Sequence, residues 1–183
     1  GSRGLFHLEP MIELDANGGS SDIVVNNGLT TTSGDISILA DNDITFGADG
    51  DVTSTSGNMT VTSDSDNGGT SSGALTMNDG TLINAGSGTI SLAADEDIAL
   101  GGLLTTNSSS TAMTITSSEG AITDAGSTLV DIVAASGTVT IDAATGVDID
   151  TTVAILDLDN ATSGNIDINE TDALSINQID QDG

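Results

Sequence analysis

With 183 residues, 28 of them acidic against a single Lys or Arg, the chain has a formal charge of −27. That excludes nucleic-acid binding and attraction to an anionic membrane, because both need cations on the protein. No Cys is present for disulfides or thiolate metal sites, and with no Trp, no Tyr and two Phe the interior must be filled by Ile, Leu, Val and Met.

Residues 1–20 stand apart from the rest of the chain. Gly1-Ser2 reads as a tag remnant, His7 as a solvated leader residue, and Pro10 interrupts the apolar set Leu5, Phe6, Leu8, Met11, Ile12 and Leu14. The segment is expected to be tag and linker, or a cap over the open edge of a repeat domain that fills residues 21–183.

The repeat pattern starts at Ile23-Val24-Val25 and turns at Asn26-Asn27-Gly28. Short alternating pairs come next at Ile36/Ile38, Ile44/Phe46, Val52 and Met59/Val61. Alternation with period two places one row of side chains inward and the next outward on a strand. The polar, Gly-rich stretch 63–73 reads as a loop bulging from the stack. Pairs resume at Leu75/Met77, Leu82/Ile83, Ile90/Leu92, Ile98/Leu100, Leu103/Leu104, Met113/Ile115 and Ile122. They tighten at Val130/Ile132, Val139/Ile141, Val147/Ile149, Leu156/Leu158, Ile166/Ile168 and Leu174/Ile176.

The chain matches itself. Ile36 falls on Ile90 and Met59 on Met113, both at a shift of 54 residues, which carries Met59-Thr60-Val61-Thr62-Ser63 onto Met113-Thr114-Ile115-Thr116-Ser117. A second match sets Ile83–Ser87 on Ile122–Ser127. Strands begin every eight to ten residues or so, and three to a turn gives roughly 23–27 residues per coil and about six or seven coils. The expected fold is all-β: a single-stranded parallel β-helix, or β-solenoid, with layers about 4.8 Å apart. A β-sandwich is the alternative that short strands at this spacing allow. Gly and β-branched residues, with no sustained period of 3.6, disfavour helices.

The units Gly34–Phe46, Gly88–Leu100 and Gly137–Ala143 share the form Gly-x-Ile/Val-x-Ile/Leu-x-Ala. In the first two it is followed by a turn of the form x-x-Asp-Ile. Over about residues 21–180 the sequence resembles the repeats of filamentous haemagglutinin-type large bacterial exoproteins and adhesins. The resemblance implies a right-handed parallel β-helix acting as the shaft of a secreted or cell-surface protein. The chain departs from that family in its acidity and in showing no recognisable secretion domain.

Catalysis finds no support, because no His or Lys lies in the repeat region to activate a Ser or Thr, and the chain is expected not to be an enzyme. Cation binding is the chemistry that clustered carboxylates offer. Asp64 and Asp66, in Asp64-Ser65-Asp66-Asn67-Gly68-Gly69, and the run Asp95-Glu96-Asp97 are the candidate metal ligands. Ca²⁺ is the ion they would take, and the fold itself requires no cofactor. Neither cluster has EF-hand spacing, and solvated acidic turns are the competing reading. The pairs Thr60/Thr62, Thr114/Thr116 and Thr138/Thr140 would form an ice-binding surface if they stacked on one flat face.

The function expected is a structural shaft of a bacterial adhesin or fibre, serving adhesion or surface scaffolding. Its partners would be further repeats of the same parent protein or other copies of itself, with a host-cell or surface receptor and no membrane insertion. A self-assembling extracellular filament subunit and a Ca²⁺-dependent or ice-binding solenoid are the alternatives.

Overall fold

The computed structural model describes residues 10–66 and 73–182. Every regular element among them is a strand, and all strand pairs are parallel in one coiled sheet. The first coil contains β1 (Ile12–Ala16), β2 (Ile23–Val25) and β3 (Leu29–Thr31). The second contains β4 (Ile36–Ala40), β5 (Ile44–Phe46) and β6 (Val52–Ser54). The third has β7 (Met59–Ser63), β8 (Leu75–Met77) and β9 (Ile83–Gly86), and the fourth β10 (Ile90–Ala94), β11 (Ile98–Leu100) and β12 (Leu103–Thr105). Then come β13 (Met113–Ser117), β14 (Ile122–Asp124), the long β15 (Ile132–Ala143) and β16 (Val147–Asn160), and finally β17 (Ile166–Glu170) and β18 (Ser175–Gln181). Each strand pairs with its counterpart one coil on, giving a β-solenoid of about 7 turns.

The first face shows why the alternation produces a core. Ile12, Ile36, Met59, Ile90, Met113, Val139, Leu156 and Ile176 occupy one inward column, and Leu14, Ile38, Val61, Leu92, Ile115, Ile141 and Leu158 the next. Between the second coil and Leu158 these side chains are buried. Burying each contributes roughly 1.5–3 kcal/mol. Aliphatic side chains suffice because an inward residue is covered by its own column above and below.

The self-match at a shift of 54 is a step of two coils, since Ile36, Met59, Ile90 and Met113 lie in one column. The second self-match is not a structural repeat. Ile83 pairs with Leu103 on the third face, whereas Ile122 pairs with Ile98 on the second. Coil length also departs from a uniform 23–27. Met59 to Ile90 spans 31 residues because the stretch between β7 and β8 is long; of the expected 63–73 loop, Ser63 belongs to β7 and residues 67–72 lie outside the described residues. Val139 to Leu156 takes only 17 residues. There β16 runs without a break across all three faces, so the corner turns are lost. Among the described residues the stack begins at Ile12, inside the 1–20 segment, where β1 pairs with β4.

One corner explains why the units open with Gly. Gly34, Gly57 and Gly88 stand in consecutive coils with backbone against backbone. A Cβ on Gly57 would land on the Gly34 carbonyl oxygen, and one on Gly88 would land on that of Gly57. A buried hydroxyl closes the same corner. Ser54 Oγ accepts the Gly57 N–H at 2.8 Å and donates to the Gly34 carbonyl at 3.3 Å. Thr31 with Gly34 and Ser117 with Gly120 make the same Ser/Thr-x-x-Gly closure.

Candidate functional site: the acidic corners and faces

Six aspartates, Asp22, Asp35, Asp43, Asp51, Asp97 and Asp131, occupy one recurrent position, immediately before a strand. At a corner the chain leaves sheet geometry, so the N–H one residue before a strand has no carbonyl opposite it. The pre-strand side chain of the preceding coil supplies the acceptor. Asp35 Oδ1 accepts from Asn58 N–H at 2.7 Å, and Asn58 Oδ1 from Thr89 N–H at 3.0 Å. On the second face Asp22 accepts from Asp43 N–H at 3.2 Å, Asp43 from Ala74 N–H at 3.0 Å, and Asp97 from Ala121 N–H at 2.8 Å. On the third, Asp51 accepts from Leu82 N–H at 2.9 Å. These side chains clamp one coil to the next.

Asp41 forms a heavily hydrogen-bonded carboxylate corner. It accepts from the N–H groups of Gly18 and Gly19 and from Ser65 Oγ, tying three coils together. The two glycine N–H bonds, joined by Ser65 and opposed by burial, hold its carboxyl below the ordinary range. Glu170 behaves alike: burial pushes it up, but bonds from Asp172, Val153, Thr151 and Thr171 outweigh that and hold it low.

The candidate metal ligands fall on two neighbouring coils. Asp64 is buried at a φ of 54°, a left-handed geometry that Asp tolerates. Asp64 and Asp95 line one shallow groove with Thr62, Ala93 and Ser118. Asp95 Oδ1 accepts from Ser118 Oγ at 3.2 Å, the Glu96 carbonyl accepts from Ser117 Oγ at 2.7 Å, and Asp97 is an inter-coil clamp. Asp66 is exposed in the turn after β7, and Asn67–Gly69 lie outside the described residues, as does His7. Among the described residues no three His, Cys, Asp or Glu side chains group as a metal would require.

This geometry gives a test. Asp97→Ala should lower the melting point by an amount corresponding to about 1 kcal/mol, and Asp97→Asn by much less, because the amide oxygen still accepts the Ala121 N–H. Melting each variant with and without CaCl₂ separates a clamp from an ion ligand. Ca²⁺ stabilisation of the parent chain that Asp97→Ala abolishes would identify an ion ligand.

The threonines do not form ranks. Along the first face the outward column at Thr60 and Thr114 runs Glu13, Ser37, Thr60, Ser91, Thr114, Thr140, Asp157, Gln178. The column at Thr62 and Thr116 continues into Asp142, Asp159 and Asp180. The partner of Thr114/Thr116 is therefore Thr140/Asp142, and Thr138 is a buried residue outside the pair. Burial first, then the charges of Asp159 and Asp157, push the Asp142 carboxyl up.

Comparison with protein-family models, with curated proteins and with solved structures finds no match for this chain.

Proposed function

We propose that the chain is a structural segment, a stiff acidic β-solenoid shaft of a secreted or cell-surface bacterial adhesin or fibre. The observation that carries this reading is the unbroken inward ladder with parallel pairing from β1 to β18. In such a stack the inter-strand hydrogen bonds run along the long axis. A pull along that axis loads all the bonds of a layer interface together. The outward carboxylates keep the shaft soluble and keep its copies apart laterally.

Seven layers at about 4.8 Å make a stack on the order of 30 Å, too short to hold anything far from a cell by itself. The outermost described strand, β18, leaves Ile176 56% and Ile179 44% exposed. Further coils, from the same parent protein or from another copy, are the partners that would cover this row. Light scattering and small-angle scattering over a wide concentration range test the reading. A persistent monomer with stack-like dimensions is the expected result, whereas end-to-end growth into fibres selects a self-assembling filament subunit. Adhesion is tested separately: beads coated with the chain that hold to cells no better than albumin-coated beads would leave a spacer without adhesive function.

A further inference from the structure

The coils shorten just after the 125–131 turn, and at that joint lies a carboxylate unlike the other clamps. Asp131 precedes β15 and is 0% exposed. Its Oδ2 accepts from Asp150 N–H at 2.8 Å in the usual inter-coil way, but its Oδ1 is buried without a hydrogen-bond partner. Beside it stands another carboxylate, Asp124 at the end of β14, whose Oδ1 accepts from Gly126 N–H at 2.6 Å. The Asp150 side chain, on β16, adds a third negative charge. The neighbouring β12, whose Leu103 N–H bonds the Asp131 carbonyl at 2.8 Å, brings no titratable group. Asp79 reaches the same turn at Thr128. No Lys or Arg occurs beyond Arg3, and among the described residues no three carboxylates group for a metal. A buried carboxylate oxygen with no donor, set beside a second carboxylate and no cation, favours a proton on the buried group.

We propose that Asp131 and Asp124 share one proton and form a pH-operated clasp that holds the 125–131 turn against the stack. The proton sits on Asp131 and is donated to Asp124; when Asp131 loses it to solvent the clasp opens. Burial first, then the charges of Asp124 and Asp150, push the Asp131 carboxyl up to about 7 against the opposing Asp150 N–H bond. The folded chain thus binds this proton more tightly than the unfolded chain, whose value is 3.8. The resulting stabilisation is complete below the unfolded value and disappears as pH rises through about 7.

The test is a carboxyl-carbon NMR titration of the unaltered chain, with melting of the unaltered chain, Asp131→Asn and Asp148→Asn from about pH 5 to about pH 8. Asp148 is an exposed residue on β16, so its neutralisation controls for charge alone. Expected are an Asp131 carboxyl titrating near neutrality and a melting point that falls by several degrees as pH rises from the acidic side to about 7, then levels off. The fall should persist in Asp148→Asn and vanish in Asp131→Asn, whose amide can donate to Asp124 at every pH. An Asp131 carboxyl that titrates in the ordinary acidic range overturns the proposal, as does an unchanged slope in Asp131→Asn. Ca²⁺ stabilisation at alkaline pH that requires Asp131 overturns it too, since the pair would then hold an ion. If Asp131→Asn does not fold, the titration of the unaltered chain decides alone.

Discussion

Gly57→Ala should be among the most damaging single-atom additions to this chain, lowering stability by about 3 kcal/mol or more. The methyl would land on the carbonyl of Gly34 and crowd Ser54 Oγ. The Gly34 carbonyl is backbone and cannot swing away as a side-chain tip could. Relief requires parting two coils, which breaks the Ser54 closure and weakens the pairing of β4 with β7. For a chain of this size that loss corresponds to a fall of roughly 10 °C in melting temperature. Gly28→Ala is the matched control, because its Cβ would meet only the Asp51 carbonyl oxygen at an ordinary 3.5 Å. Thermal melts of both variants check the argument, and equal melting points would show that the corner column yields without cost.

The alternation was legible because the solenoid uses it directly. Ile36/Ile38, Ile90/Leu92 and Val139/Ile141 are strand positions with inward columns. The shift of 54 was legible for the same reason, though as two coils rather than one. Two features were not. Coil shortening depends on β15 and β16 running through corners, and a Val/Ile/Thr-rich stretch reads alike whether it bends or continues. The carboxylate clamps were misleading for a different reason. The acceptor and donor of a clamp lie one coil apart, 23 residues from Asp35 to Asn58 but 31 from Asp51 to Leu82, so no fixed spacing marks them. Asp95-Glu96-Asp97 therefore reads as a ligand cluster although Asp97 points at the next coil. A signal was present nonetheless: Asp or Asn directly before an alternating pair, at Asp22, Asp35, Asp43, Asp51, Asn58, Asp97 and Asp131. The Ser/Thr-x-x-Gly corner at Thr31, Ser54 and Ser117 was equally available.

These clamps also bear on why so acidic a chain can hold together without basic partners. An Asp at a corner replaces a missing carbonyl, and its charge strengthens the bond it accepts from the backbone. Among the described residues, the carboxylates on the flat first face accept no such bond from the next coil. The column Asp142, Asp159, Asp180 sets like charges on adjacent strands, where they repel. The two populations should therefore respond oppositely to neutralisation, with corner residues losing stability and face residues gaining it.

Phe46→Ala should cost about 3–5 kcal/mol, the range for removing a large buried aromatic side chain. Phe46 is 0% exposed, and it sits in the inward column between Val25 and Met77. A thin aliphatic core has few other residues to move into the gap. Val25 is too short to reach it, and Met77, the one flexible neighbour in the column, can fill only part of the volume. Phe46→Leu should cost much less, about 1 kcal/mol, because it keeps most of that volume. The location of the damage is as informative as its size. In a stack where each coil touches only its neighbours, the loss should be felt in the coils of β2, β5 and β8 and fade with distance. Amide hydrogen exchange should then show protection lost around Val25, Phe46 and Met77 while β15 and β16 keep theirs. Uniform loss of protection along the chain would mean that the solenoid melts as a single cooperative unit, and a shaft made of it would fail as a whole rather than coil by coil.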